Sequence, residues 1–80
     1  MSELSRLRWR CRRGMKELDL VLARYLEGPY GTAEEDERAC FRRLLEMQDP
    51  QLYRLILGKD QSDDREIAQL LEVLRQGIGE

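Results

Sequence analysis

The residues best suited to chemistry lie close together, in the stretch of residues 9–19. Arg13 offers a rigid guanidinium that can donate two parallel hydrogen bonds, and Glu17 offers a carboxylate one helical turn later. Gly14 follows Arg13 directly, although a glycine near the start of a helix costs about 1 kcal/mol relative to alanine. The chemistry that suits this set is recognition of another protein, with charge-assisted contacts beside a point where a second backbone approaches closely.

We predict that six residues of this stretch bind a partner. Arg13 and Glu17 are the charged contacts, and Gly14 is the point of close approach. The other three form the rim: Arg12, Trp9 and Asp19. A place in the core or at its boundary is the alternative for Trp9.

The predicted docking face depends on the helical register of this stretch. If the helix of residues 15–26 continues back through residue 13, successive side chains turn by about 100° and one apolar stripe faces the core. The opposite side, toward water or a partner, then holds Arg13, Glu17, Leu20 and Arg24. The simpler alternative is that Arg13 and Glu17 pair with each other, which stabilises an exposed helix by only a few tenths of a kcal/mol.

An enzyme is not expected from these residues. The chain has no histidine for proton transfer, no nucleophile beside a base and no glycine-rich phosphate loop. Cys11 and Cys40 stand alone, so the usual zinc ligand sets are missing, and we expect both thiols to be reduced rather than paired. Eighty residues form one domain, residues 1–80, without room for a deep enclosed active site. We predict no catalytic residue, no metal and no cofactor of its own.

Charge is distributed unevenly along the chain. Residues 1–16 carry six basic side chains and one acidic one, whereas the other 64 residues carry 8 basic and 15 acidic side chains. A basic pole attracts an acidic protein, a phosphate-bearing molecule or nucleic acid. The acidic remainder and the isoelectric point near 5.2 argue against nucleic acid as the partner. No apolar run approaches the roughly 20 residues that cross a bilayer, so we expect no membrane insertion.

Residues 9–19 resemble the motif of the succinate dehydrogenase assembly factor family, whose hallmark is Arg-Gly-x-x-Glu. Arg13, Gly14 and Glu17 match that hallmark. Two downstream segments continue the similarity over most of the chain: Leu44-Leu45-Glu46 and Asp49-Pro50-Gln51-Leu52-Tyr53. A bare Arg-Gly-x-x-Glu arises often by chance, but the eleven-residue block followed by both segments in order is specific.

The resemblance implies a compact helical protein that binds the flavoprotein subunit of succinate dehydrogenase and promotes covalent attachment of FAD. The flavoprotein of fumarate reductase is a second candidate client. We expect a bacterial, cytoplasmic protein that is a monomer when free. An antitoxin-like regulatory module that binds another protein remains an alternative, because it also needs a docking face, and a small nucleic-acid-binding helical domain is a weaker one.

The apolar spacing predicts an all-α bundle of five short helices, of which the first three cover the amino-terminal half. Helix one spans residues 2–12 with Ser2 as its N-cap, and helix two spans about residues 14–27. A glycine and a proline then force a turn at residues 28–31. Thr32 and Glu35 have capping-box spacing at the start of helix three. Its buried side is expected to be Cys40, Phe41, Leu44 and Leu45.

Two helices complete the predicted bundle. Asp49 is expected to cap helix four, with Pro50 at its first position and Gly58 after its end near Leu57. This helix is apolar nearly all round, which predicts a place between other helices with Tyr53 in the core. Ser62 or Asp63 is expected to cap helix five. The apolar stripe of helix five is Ile67, Leu70, Leu71, Leu74 and Ile78.

Overall fold

A computed structural model describes residues 2–76 and confirms the all-α class. Five helices have eight or more residues, and a sixth is a single turn. In chain order they are α1 (Glu3–Arg10), α2 (Lys16–Glu27), α3 (Pro29–Thr32), α4 (Glu35–Leu44), α5 (Asp49–Ile56) and α6 (Arg65–Gln76). Within this range no strand is present and no helix is long and apolar enough to cross a membrane.

The core forms where α6 packs against α2, α4 and α5. The apolar stripe predicted for α6 is buried from Ile67 to Leu74, while Ile78 lies outside the described residues. Phe41 of α4 is fully buried, with its ring centroid 4.6 Å from that of Tyr25 and 5.7 Å from that of Tyr30. Burial of such rings accounts for much of the apolar area that stabilises a domain this small.

The connection between α2 and α4 differs from the predicted turn, because Pro29 begins the one-turn helix α3. That turn places Tyr30 in the core. The capping box predicted at residues 32–35 is wrong: Glu34 occupies the N-cap position of α4 and makes no side-chain cap. Thr32 is already part of α3, where its hydroxyl donates to the Pro29 carbonyl at 3.4 Å, so it cannot cap the next helix.

Two other predicted caps shift along the chain, whereas the cap of α1 is confirmed. Ser2 Oγ accepts from the Ser5 amide at 3.2 Å. Helix α5 begins one residue early, with Gln48 at its N-cap, so the Asp49 carboxylate is available elsewhere. At α6 the Asp64 carboxylate accepts from the first-turn amide of Glu66 at 2.9 Å, so the cap is neither Ser62 nor Asp63.

The composition of α5 predicted a place between other helices. In the structure α5 instead lies at the edge of the bundle. Leu52, Leu55 and Ile56 are buried, but Leu57 is 44% exposed and Tyr53 is only partly buried. The helix ends as expected at Gly58, which has a positive φ of 80°. Tyr53 packs against the core with part of its side chain exposed, so the prediction of a core position is confirmed only in part, and its hydroxyl reaches another helix at the surface.

Candidate functional site

The Arg-Gly-x-x-Glu motif begins in a loop and not in a helix. Helix α1 ends at Arg10, and α2 begins only at Lys16, with Met15 at the N-cap in an extended conformation. The predicted helical register through residue 13 is therefore wrong. Gly14 interrupts it with a φ of +83°, a left-handed conformation that residues with a Cβ rarely adopt.

Asp19 holds this loop against the start of α2. One carboxylate oxygen accepts from the Arg13 amide at 2.8 Å, and the other accepts from the Gly14 amide at 3.1 Å. A carboxylate in the first turn of a helix is also favoured by the positive end of the helix dipole. Asp19, predicted as a rim contact for a partner, is thus engaged within the chain and fixes the position of the glycine.

Arg13 points inward and joins three parts of the chain. Its side chain is only 13% exposed, and Nη1 donates to the Met47 carbonyl at 2.8 Å and to Asp49 Oδ1 at 2.8 Å. Nε donates to the Arg10 carbonyl at 2.9 Å, and Nη2 donates to the Leu45 carbonyl. These carbonyls lie at or beyond the ends of α1 and α4, where helices leave acceptors unsatisfied. The pairing of Arg13 with Glu17 considered from the sequence does not form.

Gly14 is exposed, and the space above it is open. A Cβ built on this residue would meet no other heavy atom within 4 Å. The glycine is therefore required by its backbone conformation and not by crowding within the chain. Because the surrounding space is empty, a partner backbone has access to this point, which is compatible with the close approach predicted from the sequence.

Glu17 is exposed on α2 and contacts Tyr53 of α5. The Tyr53 hydroxyl donates to Glu17 Oε2 at 2.8 Å, across 36 positions of sequence. The hydrogen bond to the Glu17 carboxylate raises the pKa of Tyr53 above its usual value, with further contributions from desolvation and from the charge of Glu17. Tyr53 is a site residue that sequence reasoning missed, since no local pattern reveals that α5 lies beside the start of α2.

Trp9 lies on the surface, so the alternative of a core position for it is wrong. Its side chain is 64% exposed, and the Arg12 guanidinium carbon lies 5.6 Å from the ring centroid. A cation over an indole face at this distance is attracted by the ring quadrupole. Trp9 and Arg12 therefore present an accessible aromatic and cationic pair beside the loop, and their role as rim contacts stays a prediction.

The cysteines offer no nucleophile. Both are free and buried, and burial raises the pKa of Cys11 to about 11 despite the nearby positive charge of Arg13. Burial also raises the pKa of Cys40. A thiol reacts as its thiolate, so neither cysteine is poised for nucleophilic catalysis. Over residues 2–76, no group of three or more potential ligands is placed to hold a metal ion.

The six predicted residues fall into two sets. Gly14, Glu17, Arg12 and Trp9 are exposed to solvent, and Arg13 and Asp19 are partly buried and hold the loop. The sequence analysis placed these residues on one continuous helix, whereas in the structure residues 11–15 connect two helices. Their role in binding a partner stays a prediction. The sequence does not show that Arg13 points inward while Arg12 points outward, because three of the acceptors that hold the Arg13 side chain lie more than thirty positions away.

Comparison with known proteins gives a consistent result. A family model described as the flavinator of succinate dehydrogenase matches residues 5–78. The chain is 46% identical over 80 residues to the FAD assembly factor SdhE of Methylococcus capsulatus, an alignment that covers 100% of this chain and 96% of that protein. It is 42% identical over 74 residues to the factor of the same name from Xylella fastidiosa, covering 92% of this chain and 76% of that one. It is 35% identical over 74 residues to the factor of that name from Idiomarina loihiensis, covering 92% of this chain and 82% of that one. The chain therefore belongs to the family of succinate dehydrogenase flavinators.

Proposed function

We propose that this protein is a non-catalytic assembly factor that binds the flavoprotein subunit of succinate dehydrogenase before FAD is attached, and promotes that covalent attachment. The flavoprotein of fumarate reductase is proposed as a second client. Relatives named FAD assembly factor support this proposal. The observation that carries it is the open Gly14 loop beside the exposed Glu17.

The factor acts by stabilising one conformation of its client. Binding free energy from the docking face favours the flavoprotein conformation in which the flavin ring and the acceptor histidine are correctly placed. The atoms that form the bond then belong to the client and to FAD. A factor that contributes binding but no reacting group agrees with described residues that include no activated thiol and no metal-ligand cluster.

The six residues contribute in two ways under this proposal. Gly14, Glu17, Arg12 and Trp9 meet the client, since all four are exposed. Arg13 and Asp19 keep the loop in the conformation that presents Gly14, because their polar atoms are bonded to the chain itself. A role for these two as direct contacts stays a prediction from the sequence.

A deletion and complementation experiment tests the proposal in the native cell. We expect deletion of the gene to leave the denatured flavoprotein subunit with little covalent flavin fluorescence and the wild-type gene to restore it. Affinity purification of the tagged protein from the same cells should recover the flavoprotein subunit. Equal flavin fluorescence in the deletion strain, with normal amounts of subunit, would contradict the proposed function.

A further inference from the structure

A groove of about 640 Å³ runs between α1 and α2, beside the Gly14 loop. Its apolar lining comes from Cys11, the C-cap of α1, and from Leu20, Ala23 and Leu26 of α2. Leu26 and Cys11 are buried, whereas Leu20 is 51% exposed. A leucine half exposed at the mouth of an apolar groove is the type of surface that buries a partner's side chain.

Positive charge without an acidic partner surrounds this groove. Within residues 2–76 two of the cations near the amino terminus have carboxylate partners: Arg8 pairs with Glu27, and Arg13 pairs with Asp49. Glu3, the acidic residue of α1, pairs with Arg42 of α4. Arg12 and Lys16, both of which line the groove, have no ion pair in that range. The same holds for the neighbouring Arg6 and Arg10.

The two acids that line the groove do not pair with Arg12 or Lys16. Asp19 accepts from the amides of Arg13 and Gly14, and Glu27 pairs with Arg8 at 3.0 Å. A second, smaller cleft of about 290 Å³ shares Arg8 and Arg12 with the groove and adds Trp9. The apolar groove therefore opens onto a surface with net positive charge and an exposed aromatic side chain.

We infer that this groove seats an acidic segment of the client flavoprotein, with an apolar side chain against Leu20 and Ala23 and flanking carboxylates on Arg12 and Lys16. The inference rests on the proposed function and names the chemistry of the partner segment. Charge complementarity selects the occupant, because a basic segment would face unpaired cations of its own sign. Neither Glu17 nor Tyr53 lines the groove, so the groove adds a contact surface to the one that Glu17 offers.

Photo-crosslinking tests the apolar contact directly. Leu20 is replaced by the photo-crosslinking residue p-benzoylphenylalanine, and the purified protein is irradiated with the purified apo flavoprotein subunit of succinate dehydrogenase. Leu57, a 44% exposed leucine on α5, receives the same residue as the control. We expect the position-20 variant alone to crosslink, to a client peptide in which an apolar residue is flanked by aspartate or glutamate. Crosslinking to a basic peptide, to a second copy of this chain, or to no greater extent than the control would overturn the inference.

Charge reversal tests the electrostatic part. The double variant Arg12→Glu/Lys16→Glu should weaken binding of the apo flavoprotein by about tenfold or more, since two charge-assisted contacts are lost and two repulsive ones are introduced. The variant Lys59→Glu/Arg65→Glu makes the same change of charge away from the groove and should bind as the wild type does. Equal binding by both double variants would contradict the inference.

These experiments distinguish a failure of the groove inference from a failure of the proposed function. If the wild-type protein binds the apo subunit and promotes flavinylation while the groove variants behave like their controls, only the groove inference fails. If the wild-type protein neither binds the subunit nor promotes flavinylation, the proposed function fails as well.

Discussion

Arg13 Nη1 donates a hydrogen bond of 2.8 Å to Asp49 Oδ1, and this contact joins the motif loop to the start of α5. The same guanidinium bonds carbonyls in the connection that precedes α5. The arginine of Arg-Gly-x-x-Glu therefore supports the fold around the glycine. Its replacement should affect stability first and client binding through stability.

Replacement of Arg13 by alanine should lower the free energy of unfolding by about 1–3 kcal/mol, because partly buried carbonyls lose their donor and Asp49 loses its partner. Arg13→Lys should recover little of this loss, since an ammonium cannot reproduce the planar fork. Urea unfolding measures both. Arg10→Ala, at an exposed side chain of α1, is the control and should change stability by less than about 0.5 kcal/mol. Equal stability of Arg13→Ala and Arg10→Ala would contradict the supporting role.

Gly14 and Gly58 have the same backbone conformation, so alanine variants at the two positions distinguish the cost of backbone strain from the loss of a contact with the client. Their φ values are +83° and +80°, and neither added Cβ would meet an atom closer than 3.9 Å. Alanine at either position should therefore cost a similar amount, about 1–2 kcal/mol, measured by urea unfolding. Only Gly14→Ala should also weaken binding of the apo flavoprotein beyond what its stability loss explains. If Gly58→Ala weakens binding equally, Gly14 has no role beyond its backbone conformation.

The Tyr53 and Glu17 pair makes a prediction about pH. The hydrogen bond to the carboxylate raises the folded-state pKa of Tyr53, so the stability from this bond is present below the unfolded pKa of about 10 and is lost as the pH rises through the folded pKa. Glu17→Gln removes the charge and should move the pKa of Tyr53 back toward its usual value. A pH titration of the Tyr53 ring by NMR, assigned with Tyr53→Phe, measures the shift. An unchanged pKa in Glu17→Gln would contradict the contact.

Both cysteines should be protected in the folded protein. With the pKa of Cys11 raised to about 11, only about one thiol in a thousand is ionised near pH 8, and burial blocks the approach of a reagent. We expect slow modification of Cys11 and Cys40 by a thiol-specific reagent in native buffer and fast modification of both in denaturant. Variants with single Cys→Ser replacements assign the two rates. Rapid native modification of Cys11 would show that the α1 and α2 interface opens readily.

Charge reversal at Glu17 separates docking from folding. Glu17 is exposed, so Glu17→Arg should leave the helical content by circular dichroism unchanged while client flavinylation falls. Under the proposed function Glu17 contacts the client, so the substitution would replace an attractive charge with a repulsive one. Glu72→Arg makes the same change at an exposed position of α6 and should flavinylate as the wild type does. Normal flavinylation by Glu17→Arg would count against the proposed docking face.

Sequence reasoning worked well for features that depend on local periodicity. The α6 stripe from Ile67 to Leu74, the buried side of α4 and the N-cap at Ser2 all follow from spacing within one helix, and the structure confirms them. Sequence reasoning failed where a residue that could cap one helix makes its contacts with another segment instead. Thr32 has the type and spacing of a cap but is used by α3, and Asp49 has the type of a cap but binds Arg13.

The same contrast between local pattern and long-range contact applies to the motif. Residue types identified the segment and its family, yet the helical register assigned to it was wrong, because Gly14 adopts a left-handed conformation and Asp19 bonds the amides before it. The positions of Tyr53 and of the groove depend on how α5 and α1 pack beside α2. Such packing involves residues far apart in sequence, so spacing alone could not predict it.

Reconstitution with purified components tests the central claim most directly. The apo flavoprotein subunit of succinate dehydrogenase is incubated with FAD, with and without an equimolar amount of this protein, and flavin that remains bound after denaturation is measured over time. We predict that covalent flavin accumulates markedly faster with the protein present, and that Glu72→Arg retains this effect while Glu17→Arg loses it. The same rate of attachment with and without the wild-type protein would contradict the claim that it is an assembly factor for this client.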